Sequence, residues 1–347
     1  MSAALATRDA AVAVAALVLA IALGSDGFAT VDPALLGYLG ATLVGAFGCV
    51  WRASAFWRRP ASAFYARALR DALIDPHRWR DLARNAAADL AVQDFIRRRS
   101  VARWTAHLLL ALGTLLAFAI TVPLVFGWMH FTADADATYR MVVFTVPAFR
   151  FTVDGAFAAV LFHALTAAGV AVTLGACFFL ATRLRARRLP GAATPFALAP
   201  IVLLLAVALT GLALPASRTW PAAFVVASWL HEATVVLLLV SLPFSKLSHV
   251  LTRPLQLGAR AVRTSSSPVI RCCSCGATVT ASAQQQAVAS LLRERGLSFA
   301  HHLDLCQACR RRGIAAAQAS LIGAAFQPRL EVERDQTPAP VELQEVA

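Results

Sequence analysis

Six apolar runs punctuate this chain, at about residues 10–24, 34–51, 104–129, 153–182, 195–214 and 220–244. The last five are each long enough for an α-helix to cross the ~30 Å hydrocarbon core of a bilayer. A soluble domain of 347 residues could not hide a chain that is 59% hydrophobic with a mean hydropathy of +0.64. The expected fold is therefore an all-α integral membrane protein, a five- to six-helix transmembrane bundle with a small cytoplasmic metal-binding tail. The first run is bounded by Asp9 and Asp26. It is either an additional tilted helix or a signal-like segment following Arg8.

Orientation follows from the basic residues. Twelve arginines lie between Arg52 and Arg103, and Arg183, Arg185, Arg187 and Arg188 occupy the next loop on that side. The opposite loops hold only Arg140, Arg150 and Arg218. The arginine-rich loops and the C-terminus are thus expected in the cytoplasm, as in a multi-pass protein of a bacterial-type inner membrane. The net charge of +13 is mostly this asymmetry. Because the arginines flank helices, a nucleic-acid partner is not implied; membrane lipid is.

The divisions expected are a hydrophobic segment 1–33, a transmembrane bundle 34–255 with an amphipathic cytoplasmic insert 52–103, a cysteine unit 266–315, and a disordered stretch 327–347 rich in Pro, Glu and Gln. The outer loop 131–152, with Asp134, Asp136 and Tyr139, reads as partly ordered. No internal repeat is visible.

Histidine is costly inside a membrane and usually marks a site there. His231 and His249 lie 18 residues apart. On one continuous helix that is five turns, or about 27 Å, with both imidazoles on one face. Depth pairs His107 with His249 near the arginine-rich side, and His163 with His231 deeper in the bundle. Two imidazoles at matched depth on facing helices suit a b-type haem, with Gly113, Gly155, Gly169, Gly175 and Gly211 offering room for the ring. The alternative is that these histidines only bond carbonyls of neighbouring helices. His130 competes with His163 as a deep ligand. With Trp128 and Tyr139 it is also a candidate quinol site at the outer membrane edge, where it could accept a proton. Glu232 is a candidate proton relay or a satisfied polar contact.

The run Pro243-Phe244-Ser245-Lys246 leading to His249, with a histidine 18 residues earlier, resembles the gamma (cytochrome b) subunit of respiratory nitrate reductase. Membrane cytochromes of heterodisulfide-reductase-like and sulfite-reductase-associated complexes share the pattern. The resemblance covers residues 34–255. It implies five spanning helices and His231 and His249 as haem ligands on the last. It also implies His107 as the cytoplasmic-side ligand of the second, and electron transfer from quinol to a cytoplasmic iron–sulfur or molybdenum oxidoreductase. The family's remaining ligand position is Ala117 here, a departure that His163 or His130 would have to repair.

Of seven cysteines, Cys49 and Cys177 lie alone in apolar runs. Cys272-Cys273-Ser274-Cys275-Gly276 and Cys306-Gln307-Ala308-Cys309 form two CxxC pairs about thirty residues apart. In a reducing compartment this spacing reads as a zinc ribbon held by Cys272, Cys275, Cys306 and Cys309, with Cys273 spare. Iron or free redox-active thiols are the alternatives, and His301 and His302 are near enough to compete. Three functions remain open: a quinol-oxidising electron-transfer subunit with haem b and zinc, a transporter or channel lined by histidines, and a membrane-anchored scaffold or sensor using the ribbon.

Overall fold

The computed structural model describes residues 2–134, 137–186, 198–264, 268–297 and 300–324. Contacts divide the chain into two units, Met1–Ala261 and Val262–Ala347.

The first unit is a helical bundle. Among the described residues six helices are long and apolar enough to cross a membrane. They are α1 (Ser2–Gly24), α2 (Leu36–Trp57), α6 (Val101–Val125), α7 (Ala156–Ala186), α8 (Ala199–Ser217) and α9 (Pro221–Ser241). Local chemistry starts them: Asp32 accepts from the Ala34 N–H ahead of α2, Ser100 from the Arg103 N–H of α6, and Pro221 opens α9. Their flanks expose Leu, Val and Phe in a way only lipid could cover.

The first apolar run is a helix packed on α2. Asp9 meets Ser54 (2.6 Å) and Arg58 near the beginning of α1, and Ile21 near its end joins a core with Leu39, Val125 and Phe126. The beginning of α1 therefore lies at the arginine-rich end of α2. Close approach elsewhere depends on glycine. A Cβ on Gly45 would lie 2.8 Å from the Leu239 carbonyl of α9, and one on Gly175 2.6 Å from the Ala106 carbonyl of α6.

The arginine-rich insert is ordered. It holds α3 (Pro60–Ile74), α4 (Trp79–Ala86), a π-helical turn (Ala87–Ala91) and α5 (Asp94–Arg97). The short α10 (His249–Thr252) and α11 (Leu255–Thr264) return against it. Arg253 stacks 4.5 Å over the Phe95 ring, and Arg260 pairs with buried Asp89 (2.6 Å) and Asn85 (3.1 Å).

One expectation needs correction. The chain from His231 to His249 is not one helix. Pro243 lacks an N–H and restrains the residue before it, so α9 ends at Ser241 and His249 opens α10 after a turn and a 3-10 segment. The shared-face argument across five turns therefore fails. The outer loop is a three-stranded antiparallel sheet of β1 (Met129–Asp134), β2 (Thr138–Val143) and β3 (Val146–Thr152) in that order.

The second unit pairs β4 (Val269–Arg271) with β5 (Thr278–Ala281), followed by α12 (Ser282–Glu294), α13 (Ala300–Leu303) and α14 (Gln307–Leu321). The stretch expected to be disordered, 327–347, lies outside the described residues.

Candidate functional site

The two CxxC pairs converge. The first sits on the turn between β4 and β5, where the Cys272 N–H donates to the Ala277 carbonyl (2.8 Å) and the Gly276 N–H to the Cys272 carbonyl (2.9 Å). Gly276 takes φ +72°, a left-handed conformation that closes the turn without strain. The second pair spans the start of α14, with Cys306 preceding the helix and Cys309 in its first turn. The Cys306 N–H donates to Cys272 Sγ at 3.2 Å, and the Cys275 and Cys306 sulfurs are 3.6 Å apart. All four sulfurs lie within 4.8 Å of one another. A tetrahedral zinc with ~2.3 Å Zn–S bonds sets its sulfurs about 3.8 Å apart, so the cluster is able to hold such an ion.

Electrostatics agrees with a thiolate site. The Cys306 N–H leads in pulling the Cys272 thiol down to about 6, and the Cys309 N–H lowers Cys306. The Ala277 N–H also pulls on Cys275, but hydrogen bonds shared with Cys306, Cys309 and Cys272 push it up to about 12. A bound cation would displace the proton that Cys275 retains. Cys273 is exposed, its N–H held by the Asp304 carbonyl (3.1 Å), and it stays outside the cluster, as does His302.

Within the bundle, a cavity of about 490 Å³ is lined by α2, α6, α7, α8 and α9. That volume suits a small molecule. Its walls are apolar apart from hydroxyls such as Tyr38, Thr42, Thr114 and Thr166, and one imidazole, His231. Ala117 shares the lining, and among the described residues no Asp, Glu, Lys or Arg does. His231 Nδ1 lies 3.1 Å from Thr210 Oγ1, whose own proton goes to the Ala206 carbonyl at 2.8 Å. Gly211 makes this possible, because a Cβ there would meet the His231 ring at 3.0 Å. Sequence reasoning missed Thr210 and Thr234, which bond each other at 3.2 Å; hydroxyls inside apolar runs were their only signal.

The expected deep pair is not assembled. His163 is exposed, bonds the Ala159 carbonyl of its own helix (2.8 Å), and does not line the cavity with His231. Of the glycines expected to make room for a ring, Gly113, Gly169 and Gly175 serve helix contact instead: a Cβ on Gly113 would meet the Ala168 carbonyl at 2.9 Å, and one on Gly169 would meet Leu212 at 3.1 Å. Residues and cavity together do not fit a bis-histidine haem at this depth.

The outer trio also separates. His130 pairs with Val142 and Ala133 with Tyr139, so the odd spacing along β1 puts His130 and Tyr139 on opposite faces of the sheet. Tyr139 packs on Phe151 and Phe162, and His130 Nδ1 is buried without a partner. Trp128 instead ties the sheet to α1, donating to the Ala20 carbonyl at 3.2 Å. Glu232 abuts Gly37 at the start of α2.

The pair expected at the arginine-rich side is His107 and His249. His107 packs edge-on against Phe179 at 6.1 Å, and its Nδ1 is buried without a partner. His249 and Arg253 are the groups within electrostatic reach of it. His249 is exposed, and its Nδ1 bonds the Lys246 carbonyl at 2.8 Å, which leaves Nε2 free. An orphaned imidazole nitrogen on His107 and the free Nε2 of His249 are thus the unengaged nitrogens of this pair, and neither residue lines either described cavity.

Bundle and sulfur cluster define a multi-pass membrane protein with an extramembrane four-cysteine metal-binding unit. Comparisons with family models, curated proteins and solved structures gave no match, so its own geometry carries the functional argument.

Proposed function

We propose that this chain is a membrane-anchored scaffold or sensor whose working part is a zinc ribbon on the cytoplasmic side. The observation that carries this reading is the convergence of Cys272, Cys275, Cys306 and Cys309 within 4.8 Å. About fifty residues build little core, so a structural ion supplies the folding energy of such a unit. A closed four-thiolate zinc site has no open coordination position and no redox chemistry, which favours organising a surface over catalysis. Arg310, Arg311 and Arg312 beside the second pair give that surface a positive charge suited to an acidic soluble partner. Transport of ions is less well supported, since no charged side chain lines the cavity.

A second reading has its own observation. His107 and His249, brought within electrostatic reach beside Arg253, are the residues that would hold one b-type haem at the arginine-rich face. Bound there, the haem would supply one-electron transfer, and the chain would link membrane quinol to a soluble iron–sulfur or molybdenum oxidoreductase. In this reading Lys246 orients His249 through its carbonyl, and the ribbon docks the partner.

One preparation separates the two. Metal analysis and the reduced absorbance spectrum of the purified full chain should give one zinc and no visible band under the first reading. A b-type band that disappears in both His107→Ala and His249→Ala would establish the second and displace the first. Iron with thiolate charge-transfer bands that depend on Cys306 would overturn the zinc assignment in both.

A further inference from the structure

A second pocket, of about 640 Å³, opens where the arginine-rich ends of α1 and α2 meet α3. Its floor is apolar, with Leu5, Trp57 and Ala66, and its rim carries Arg58, Arg67 and Arg70. Two carboxylates offset part of this charge: Asp9 pairs with Arg58, and Asp71 lies 3.3 Å from Arg70, both of the latter well exposed. Arg67 has no ion-pair or hydrogen-bond partner among the described residues. An independent feature points the same way. The indole Nε1 of Trp57 is buried with no hydrogen-bond partner among the described residues. A buried donor left unmet costs free energy, so an unpaired N–H beside a cluster of guanidiniums marks a place for an acceptor that is also an anion.

The geometry points to a phosphate-binding site here, filled by the headgroup of an anionic phospholipid from the same leaflet. Guanidinium forks match phosphate oxygens in pairs, and an indole N–H adds a donor along an apolar wall. The location selects the lipid. Two spanning helices end at this pocket, which therefore lies at headgroup level, with Leu5 and Trp57 positioned to meet the acyl ends. The site is distinct from both the sulfur cluster and the central cavity, and it stands whichever function is correct.

The test uses the full chain in nanodiscs of phosphatidylcholine, with or without phosphatidylglycerol, and reads lipid retained by native mass spectrometry alongside heat resistance. One phosphatidylglycerol should be held saturably, and Arg67→Gln and Arg70→Gln should each weaken retention roughly fivefold. Arg80→Gln, an exposed arginine outside the pocket, should change nothing. Trp57→Phe keeps the ring and deletes the donor. It should lower phosphatidylglycerol retention while leaving heat resistance in phosphatidylcholine intact, which separates binding from folding. Equal retention by wild type and Arg67→Gln would overturn the site. Equal protection by inorganic phosphate in phosphatidylcholine discs would overturn the lipid as its occupant.

Discussion

Replacing Gly175 with alanine tests whether α6 and α7 touch through their backbones. Elsewhere in a helix this substitution stabilises, by roughly 0.5–1 kcal/mol, because glycine has more freedom to lose. At Gly175 the new Cβ would lie 2.6 Å from the Ala106 carbonyl, 2.9 Å from Leu110 Cβ and 3.0 Å from Leu110 N. Carbon atoms normally rest about 3.5–4 Å apart, so the helices must separate by roughly 0.5–1 Å. No flexible side chain can yield instead, since two of the three contacts are backbone. Overpacking of this kind costs about 1–3 kcal/mol against that propensity gain, and the midpoints leave a net loss of roughly 1 kcal/mol. Gly40→Ala is the control: it lies in α2 with nothing within 4 Å of where its methyl group would sit, and it should be stabilising. The assay is the rate of irreversible heat inactivation of the solubilised full chain, because membrane bundles seldom refold. Gly175→Ala should shorten the folded lifetime and Gly40→Ala should lengthen it. If both lengthen it, the close contact does not exist and His107, which follows Ala106 directly, is not held against Phe179 as described.

The remaining expectations are direct. Serine at Cys272, Cys275, Cys306 or Cys309 should abolish metal in the purified chain, whereas Cys273→Ser should retain it, by elemental analysis. Cys272 is lowered to about 6 in the folded unit, so its contribution is present above the ordinary thiol range near 8.5 and is lost as pH falls through 6. Metal retention should therefore weaken as pH falls, because protons compete for all four thiolates; retention as complete at about pH 4 as at about pH 8 would contradict the assignment. Arg260→Ala strands buried Asp89 and should cost about 2–3 kcal/mol, read as faster proteolysis of the insert. His163→Ala removes an exposed imidazole bonded only to its own helix, and should change neither heat resistance nor any haem content.

What the sequence disclosed follows from how local each signal is. The apolar runs give the spans directly, since length and hydropathy need no tertiary knowledge, and the CxxC spacing gives the sulfur cluster for the same reason. The sheet was hidden because its hairpin lacks the usual turn residues: Phe144 and Thr145 take φ of +47° and +68° where Asn-Gly would be expected. The histidines show the limit most clearly. Counting residues from a helix end gives height in the membrane, and His163 and His231 were paired on that coordinate alone. Pairing also needs azimuth, which depends on which face each helix turns to its neighbours. On α7 that face carries Phe162, Thr166 and Gly169, spaced at helical intervals, and His163 falls outside it. His249 is placed by the insert, which α10 and α11 meet through Phe95, Asp89 and Asn85. Those contacts join residues more than 150 apart, so the placement of His249 is a property of the folded insert and not of the helix that precedes it.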